Sequence, residues 1–306
     1  MKILYAGTPE FAVAPLKALL DGGHDVAAVL TQEDRPAGRK AALTPPPVKV
    51  FAKEHGLPVL QPRRVRMEAD MLRRVGADLM VTCAYGQILS QEILDIFPQG
   101  VWNIHASLLP AYRGAAPIQW AVINGESHTG ITVMKTEAGL DTGDILLVRR
   151  TAIGAAETAG ELSQRLSVLG AEAIVEGVRL IENGETQLLL QNEAKATYAK
   201  KLTKADARIS WEEEGRKIVC MVLGMNPSPL AFFLSEGQTV NVFRASFAEH
   251  AGDEPCGTML KIGKEPAVRC RDGAVVLEEI QFAGGRPMDG TAALNGRKLR
   301  VGAVLQ

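Results

Sequence analysis

The chain has 306 residues, long enough for two hydrophobic cores, and its 46% hydrophobic and 23% charged residues exclude a disordered chain. A net charge of −1 excludes the overall basic excess common among nucleic-acid binders, so any basic surface has to be local. No uninterrupted apolar run of about eighteen residues occurs, and MKILYAG lacks the pattern of a cleaved leader, so a cytoplasmic protein without a membrane span is expected. The four cysteines (Cys83, Cys220, Cys256 and Cys270) are scattered without a C-x-x-C pair, so neither a disulfide framework nor a metal site is expected.

In chain order, Lys2–Ala6 reads as a buried strand. Pro9–Leu20 reads as a helix, with Thr8 placed to cap it and Pro9 in its first turn. Asp25–Thr31 is the next strand. Asp34–Lys49 (DRPAGRKAALTPPPVK) holds too much Pro and Gly for regular structure, carries Arg35, Arg39, Lys40 and Lys49, and reads as a flexible solvated loop. Helices follow at Pro47–His55 and Met67–Val75, and strands at Leu79–Cys83 and Val101–His105. Glu157–Asn183 has Leu162, Leu166, Leu169, Ile174, Val178 and Ile181 at helical spacing, with Gly184 as the stop.

Glu193–Lys204 reads as a polar linker. Beyond Ala207 come short β-like segments at Val240–Phe243, Gly257–Ile262, Ala274–Ile280 and Lys298–Val304. The expected fold is therefore α/β: a Rossmann-like, mostly parallel sheet with helices on both faces, followed by a smaller C-terminal β-barrel of OB-like type. The expected division is a first domain over 1–190, a linker over 191–206 and a second domain over 207–306.

Chemistry concentrates in NIHASLLPAYRGAAPIQWAVINGE, Asn103 to Glu126, and in GLDTGD, Gly139 to Asp144. Asn103 and His105 are two apart on a strand, so their side chains share a face. An amide donor beside an imidazole can hold an oxyanion developing on an attacked carbonyl. Asp141, on a Gly-bracketed loop, can fix the imidazole's tautomer and support its charged form. Such a set performs acyl transfer without a protein nucleophile. Taken alone, His105 reads better as a hydrogen-bonded core histidine, and it has no second metal ligand at useful spacing.

These residues resemble the 10-formyltetrahydrofolate-dependent formyltransferases. Asn103-Ile-His105 followed by Ser107-Leu-Leu-Pro110, then Asp141, is similar to that family's signature. AGTPEFA, QEDRPAGRK, TPPPVK, GLPVLQP, AYGQIL, YRGAAPIQW, GLDTGDIL and YAKKL, in that order, resemble the members whose acceptor is initiator methionyl-tRNA. The resemblance implies that Asn103, His105 and Asp141 carry catalysis and that Ser107, Leu108, Leu109 and Pro110 line the folate site. It implies a loop with Arg35, Arg39 and Lys40 that meets the tRNA acceptor stem, 10-formyltetrahydrofolate as formyl donor without a metal, and a second domain that binds tRNA. A monomer is expected.

The C-terminal region carries the resemblance more thinly. Ser228 stands where the family usually has an aromatic between two prolines, and acidic and basic residues balance there. Three alternatives stay open: a formyltransferase acting on a sugar-nucleotide amine or glycinamide ribonucleotide, a serine hydrolase using Ser107, His105 and Asp141, and a dinucleotide oxidoreductase or nucleotide-binding module. Ser107 lacks a G-x-S-x-G elbow, and the first strand-helix turn, Gly7-Thr-Pro-Glu, lacks G-x-G-x-x-G.

Overall fold

The computed structural model describes residues 1–37 and 42–305. The chain divides into two compact units, each discontinuous in sequence: Met1–Pro117, Thr129–Ala152 and Ser163–Ala199 form the first, and Ile118–His128, Ile153–Leu162 and Lys200–Gln306 the second.

The first unit contains β1 (Lys2–Gly7), β2 (Asp25–Leu30), β3 (Arg35–Ala37), β4 (Ala42–Thr44), β5 (Val59–Leu60), β6 (Leu79–Cys83), β7 (Val101–His105), β8 (Arg113–Gly114), β9 (His128–Lys135), β10 (Ile145–Ala152) and β11 (Tyr198–Ala199). A seven-stranded sheet runs β10-β9-β7-β6-β1-β2-β5. It is parallel at β7-β6-β1-β2-β5 and turns antiparallel where β9 meets β7. Its strands are apolar runs because helices leave neither face to water; β6 is buried at every position.

The long helix Ala159–Glu182 buries Leu166, Ile174 and Val178 completely. It approaches the sheet closely at two small residues: a Cβ on Gly170 would lie 3.1 Å from Ile104, and one on Gly177 3.3 Å from Leu146. Strand order reverses at β1, with β2 on one side and β6 on the other, and in open α/β sheets ligands collect beyond the carboxyl ends at such a point.

Three local expectations are corrected. Thr8 caps no helix: its hydroxyl donates to the Tyr85 carbonyl at 2.8 Å, and residues 10–12 form a 3-10 turn before the helix Val13–Asp21. A cap needs the hydroxyl to face the first helical N–H groups, and here the end of β6 competes for it. Within Asp34–Lys49, β3 and β4 pair as a two-stranded ladder, Arg35 with Thr44 and Pro36 with Leu43, which tolerates Pro36 because a short edge ladder does not require its N–H. Residues Glu193–Lys204 carry a 3-10 turn and β11, which pairs in parallel with β8.

The second unit holds β12 (Ala231–Ser235), β13 (Gln238–Ala248), β14 (Met259–Ile262), β15 (Glu265–Cys270), β16 (Gly273–Phe282) and β17 (Met288–Asp289). They form an antiparallel sheet of order β12-β13-β16-β15-β14, with β17 on β16. Its core gathers Trp211, Ile218, Val222, Phe233, Val242, Val275 and Leu277, with Trp211 edge-on to Phe233 at 5.7 Å. Lys298–Val304 is not a strand. Gly302, at φ +84°, breaks the extended run, and Val304 alone bridges to Thr258.

Candidate active site

The carboxyl ends of β6 and β7 bring the polar residues of the first unit together. Asn103 and His105 alternate with Ile104, which points into the apolar interior and is 3% exposed. Thr82 of β6 pairs with Asn103, and its Oγ1 donates to Asn103 Oδ1 at 2.9 Å. That bond orients the amide, with Oδ1 toward β6 and the N–H pair turned away from it.

His105 is almost fully buried. Its Nε2 lies 2.9 Å from the Tyr112 carbonyl, which only a ring N–H can satisfy, so Nε2 carries hydrogen and Nδ1 is the nitrogen left toward Asp141. Nδ1 lies 3.7 Å from Asp141 Oδ2, close enough for charge to act and too far for a hydrogen bond, so a hydrogen on Nδ1 is not committed to the carboxylate. Asp141 Oδ2 accepts from the Gly114 N–H at 2.8 Å. Asp141 has φ +52°, a left-handed backbone that costs a non-glycine residue about 1 kcal/mol and persists only when neighbours fix it. Gly143 is obligatory, since a Cβ there would sit 1.9 Å from the Lys135 carbonyl oxygen.

Ser107–Pro110 is fastened from β9. Thr132, which faces His105 across the ladder, donates to the Ser107 carbonyl at 2.7 Å and accepts from the Leu109 N–H at 3.2 Å. The Leu109–Pro110 peptide is cis. Leu109 packs on Met134 and Ile145, while Leu108 and Pro110 are half-buried. Ser107 is fully buried, and its hydroxyl donates to the Ala111 carbonyl at 2.6 Å rather than to His105. It is not set up as a nucleophile.

A cavity of about 370 Å³ opens at the strand-order reversal, lined by Thr8, Gln32, Arg35, Tyr85 and Gly86 among others; Asn103, His105, Asp141 and Ser107–Pro110 are not among its lining residues. Arg35 is exposed and donates to Gln32 Oε1 at 3.1 Å. Arg39 and Lys40 lie outside the described residues. Arg73 is committed to Asp70 and Glu92.

Among the described residues no group of three His, Cys, Asp or Glu side chains is placed to hold a metal ion, and no helix is long and apolar enough to cross a membrane. Burial pushes the Cys83 thiol up to about 12, which makes it inert. Sequence reasoning missed Thr82, Tyr112, Gly114 and Thr132. The polar Thr82 within an otherwise apolar strand was the available signal, whereas Tyr112 and Gly114 act through backbone atoms that leave no side-chain trace.

Fold and site define a class. The chain belongs to the formyl transferase family: the family's model "Formyl transferase" matches residues 1–178, and "Formyl transferase, C-terminal domain" matches residues 201–298. Among characterised relatives, the methionyl-tRNA formyltransferase of Geotalea uraniireducens is 44% identical over all of this chain and 98% of its own length. That of Acetivibrio thermocellus is 45% identical over all of this chain and 99% of its own. The solved N-formyltransferase of Helicobacter canadensis, in complex with folinic acid and dTDP-3-aminofucose, superposes with a TM-score of 0.70 at 16% identity, covering 92% of this chain and 99% of that one. That likeness is one of fold.

Proposed function

We propose that this chain transfers the formyl group of 10-formyltetrahydrofolate to the α-amino group of initiator methionyl-tRNA. The observation that carries the reading is the end-to-end match, through both units, to enzymes named for that reaction, at 44% identity in the Geotalea case. The amine attacks the formyl carbon, and the carbonyl oxygen becomes an oxyanion. Asn103 donates an amide N–H to it, and His105, charged at Nδ1, donates the second hydrogen bond. Asp141 supports the imidazolium and receives the amine's proton through water. The N–C bond to the donor breaks, the proton collected at Asp141 passes to the leaving nitrogen, and tetrahydrofolate departs.

Ser107, Leu108, Leu109 and Pro110 wall the folate. Arg35, with Arg39 and Lys40, meets the acceptor stem, and the second unit holds the tRNA body. The enzyme works as a cytoplasmic monomer with a catalytic domain over 1–190, a linker over 191–206 and a tRNA-binding domain over 207–306. Incubation with 10-formyltetrahydrofolate and charged initiator tRNA should yield formylmethionyl-tRNA. Formylation of a sugar-nucleotide amine with charged tRNA left untouched would replace this reading with the small-acceptor one.

A further inference from the structure

The segment that follows the long helix returns to the Asp141 loop and spends every hydrogen-bonding group of one amide there. Gln191 Nε2 donates to the carbonyl oxygens of Asp141, at 2.8 Å, and Gly143, at 2.7 Å. Its Oε1 accepts from Arg113 Nε at 3.1 Å and Nη2 at 2.8 Å. Arg113 is fully buried and donates two further hydrogens, from Nη1 and Nη2, to the Glu193 carboxylate at 2.8 and 2.7 Å. That contact, above all its hydrogen bonds, holds Glu193 below the usual carboxylate range.

Residues 112–114 therefore touch three parts of one device. The Tyr112 carbonyl holds His105, the Arg113 side chain holds Gln191, and the Gly114 N–H holds Asp141 Oδ2. The anchors on the Asp141 and Gly143 carbonyls, with the Gly114 N–H on Asp141 Oδ2, brace the loop that carries Asp141 at φ +52°.

We infer that Gln191 is a positioning residue for formyl transfer: supported by Arg113, it locks the Asp141 loop so that the carboxylate faces His105. This rests on the proposed role of Asp141. A purely structural role predicts a change in stability alone; a positioning role predicts a change in turnover that depends on Asp141.

Gln191→Glu separates the two. The carboxylate still accepts from Arg113, but it loses both donors and turns an oxygen toward the two loop carbonyls. Loop misplacement of this kind should lower kcat by about tenfold, with KM for 10-formyltetrahydrofolate and for methionyl-tRNA within about twofold of the parent and the Tm close to it. In an Asp141→Asn background the same change should lower the residual kcat by less than about twofold, because both substitutions strike one function. If Gln191→Glu does not fold, Gln191→Leu removes the same donors without a buried charge and is read in the same way. Parent-like kcat in the single variant, or a full tenfold further loss on top of Asp141→Asn, would overturn the inference while leaving the catalytic reading intact. An active Asp141→Asn enzyme would instead overturn the catalytic reading, and the inference with it.

Discussion

Thr82→Val isolates one hydrogen bond in the site. Valine keeps the volume of threonine in a strand buried at every position, and it deletes the hydroxyl that donates to Asn103 Oδ1 at 2.9 Å. A neutral hydrogen bond contributes a net 0.5–1.5 kcal/mol or so. If that energy is what keeps the Asn103 amide turned with its N–H groups outward, losing it lets the flipped amide compete. At about 1.4 kcal/mol per decade of rate, the loss is roughly two- to tenfold, and it falls on kcat because the oxyanion exists only along the reaction. Asn103→Ala, which removes the donor itself, should cost about a hundredfold or more. Steady-state formylation at saturating donor, with Tm alongside, separates the cases. Unchanged kcat in Thr82→Val beside an inactive Asn103→Ala would show that Thr82 does not orient the amide. A rise in donor KM at constant kcat would make Asn103 a ground-state contact, and the oxyanion argument would fail.

His105→Ala and Asp141→Asn should each lower kcat by about a hundredfold with the Tm little changed, and near-normal turnover in His105→Ala would end the mechanism. Gly143→Ala must push the loop by about 1 Å, since its Cβ would start 1.9 Å from the Lys135 carbonyl oxygen, so kcat should fall by about a hundredfold; parent-like kinetics would mean the loop position is immaterial. Raising salt from about 50 to 200 mM should raise the tRNA KM steeply and leave the folate KM almost unmoved, and Arg35→Glu should reproduce part of the loss; a salt-independent tRNA KM would argue for a small acceptor.

The fifth prediction is one of pH. Lys200, then Thr203, hold the Asp206 carboxyl at about 2, below its ordinary value. A depressed carboxyl stabilises the fold above its unfolded pKa of about 3.9, and that contribution is lost as pH falls through the folded value. The Tm gap between the parent and Asp206→Asn should therefore be full at pH 6 and shrink between about pH 4 and 2; a gap that stays constant would refute the pairing.

The strands β1, β2, β6 and β7 were legible because a strand buried on both faces has to be a short apolar run, and each such run stands out between helical patterns. Strand β9 and the edge strand β10 were not, since His128, Arg149 and Arg150 blur the pattern. Thr8 misled because a hydroxyl before a helix reads as a cap, while its actual partner, Tyr85, lies 77 residues away. At the site, the alternation Asn103-Ile104-His105 was visible from strand geometry alone. Thr82, Thr132 and Gln191 were not, because their meaning depends on sheet order and on a segment returning from far along the chain. The resemblance supplied Ser107–Pro110 as a folate wall, and the hydrogen bond from Ser107 to Ala111 gives the physical reason that this serine is no nucleophile.

The separation of Asp141 from Gln191 along the chain also orders events in time. On a ribosome the chain emerges N-terminus first, so Asn103, His105 and Asp141 leave the exit tunnel well before Gln191 and Glu193. A nascent chain halted within the helix Ala159–Glu182 carries all three polar residues but lacks the Gln191 amide that anchors the Asp141 and Gly143 carbonyls. On the positioning role inferred for Gln191, such a fragment, released early by a stalled ribosome, should turn over poorly even where its strands have formed.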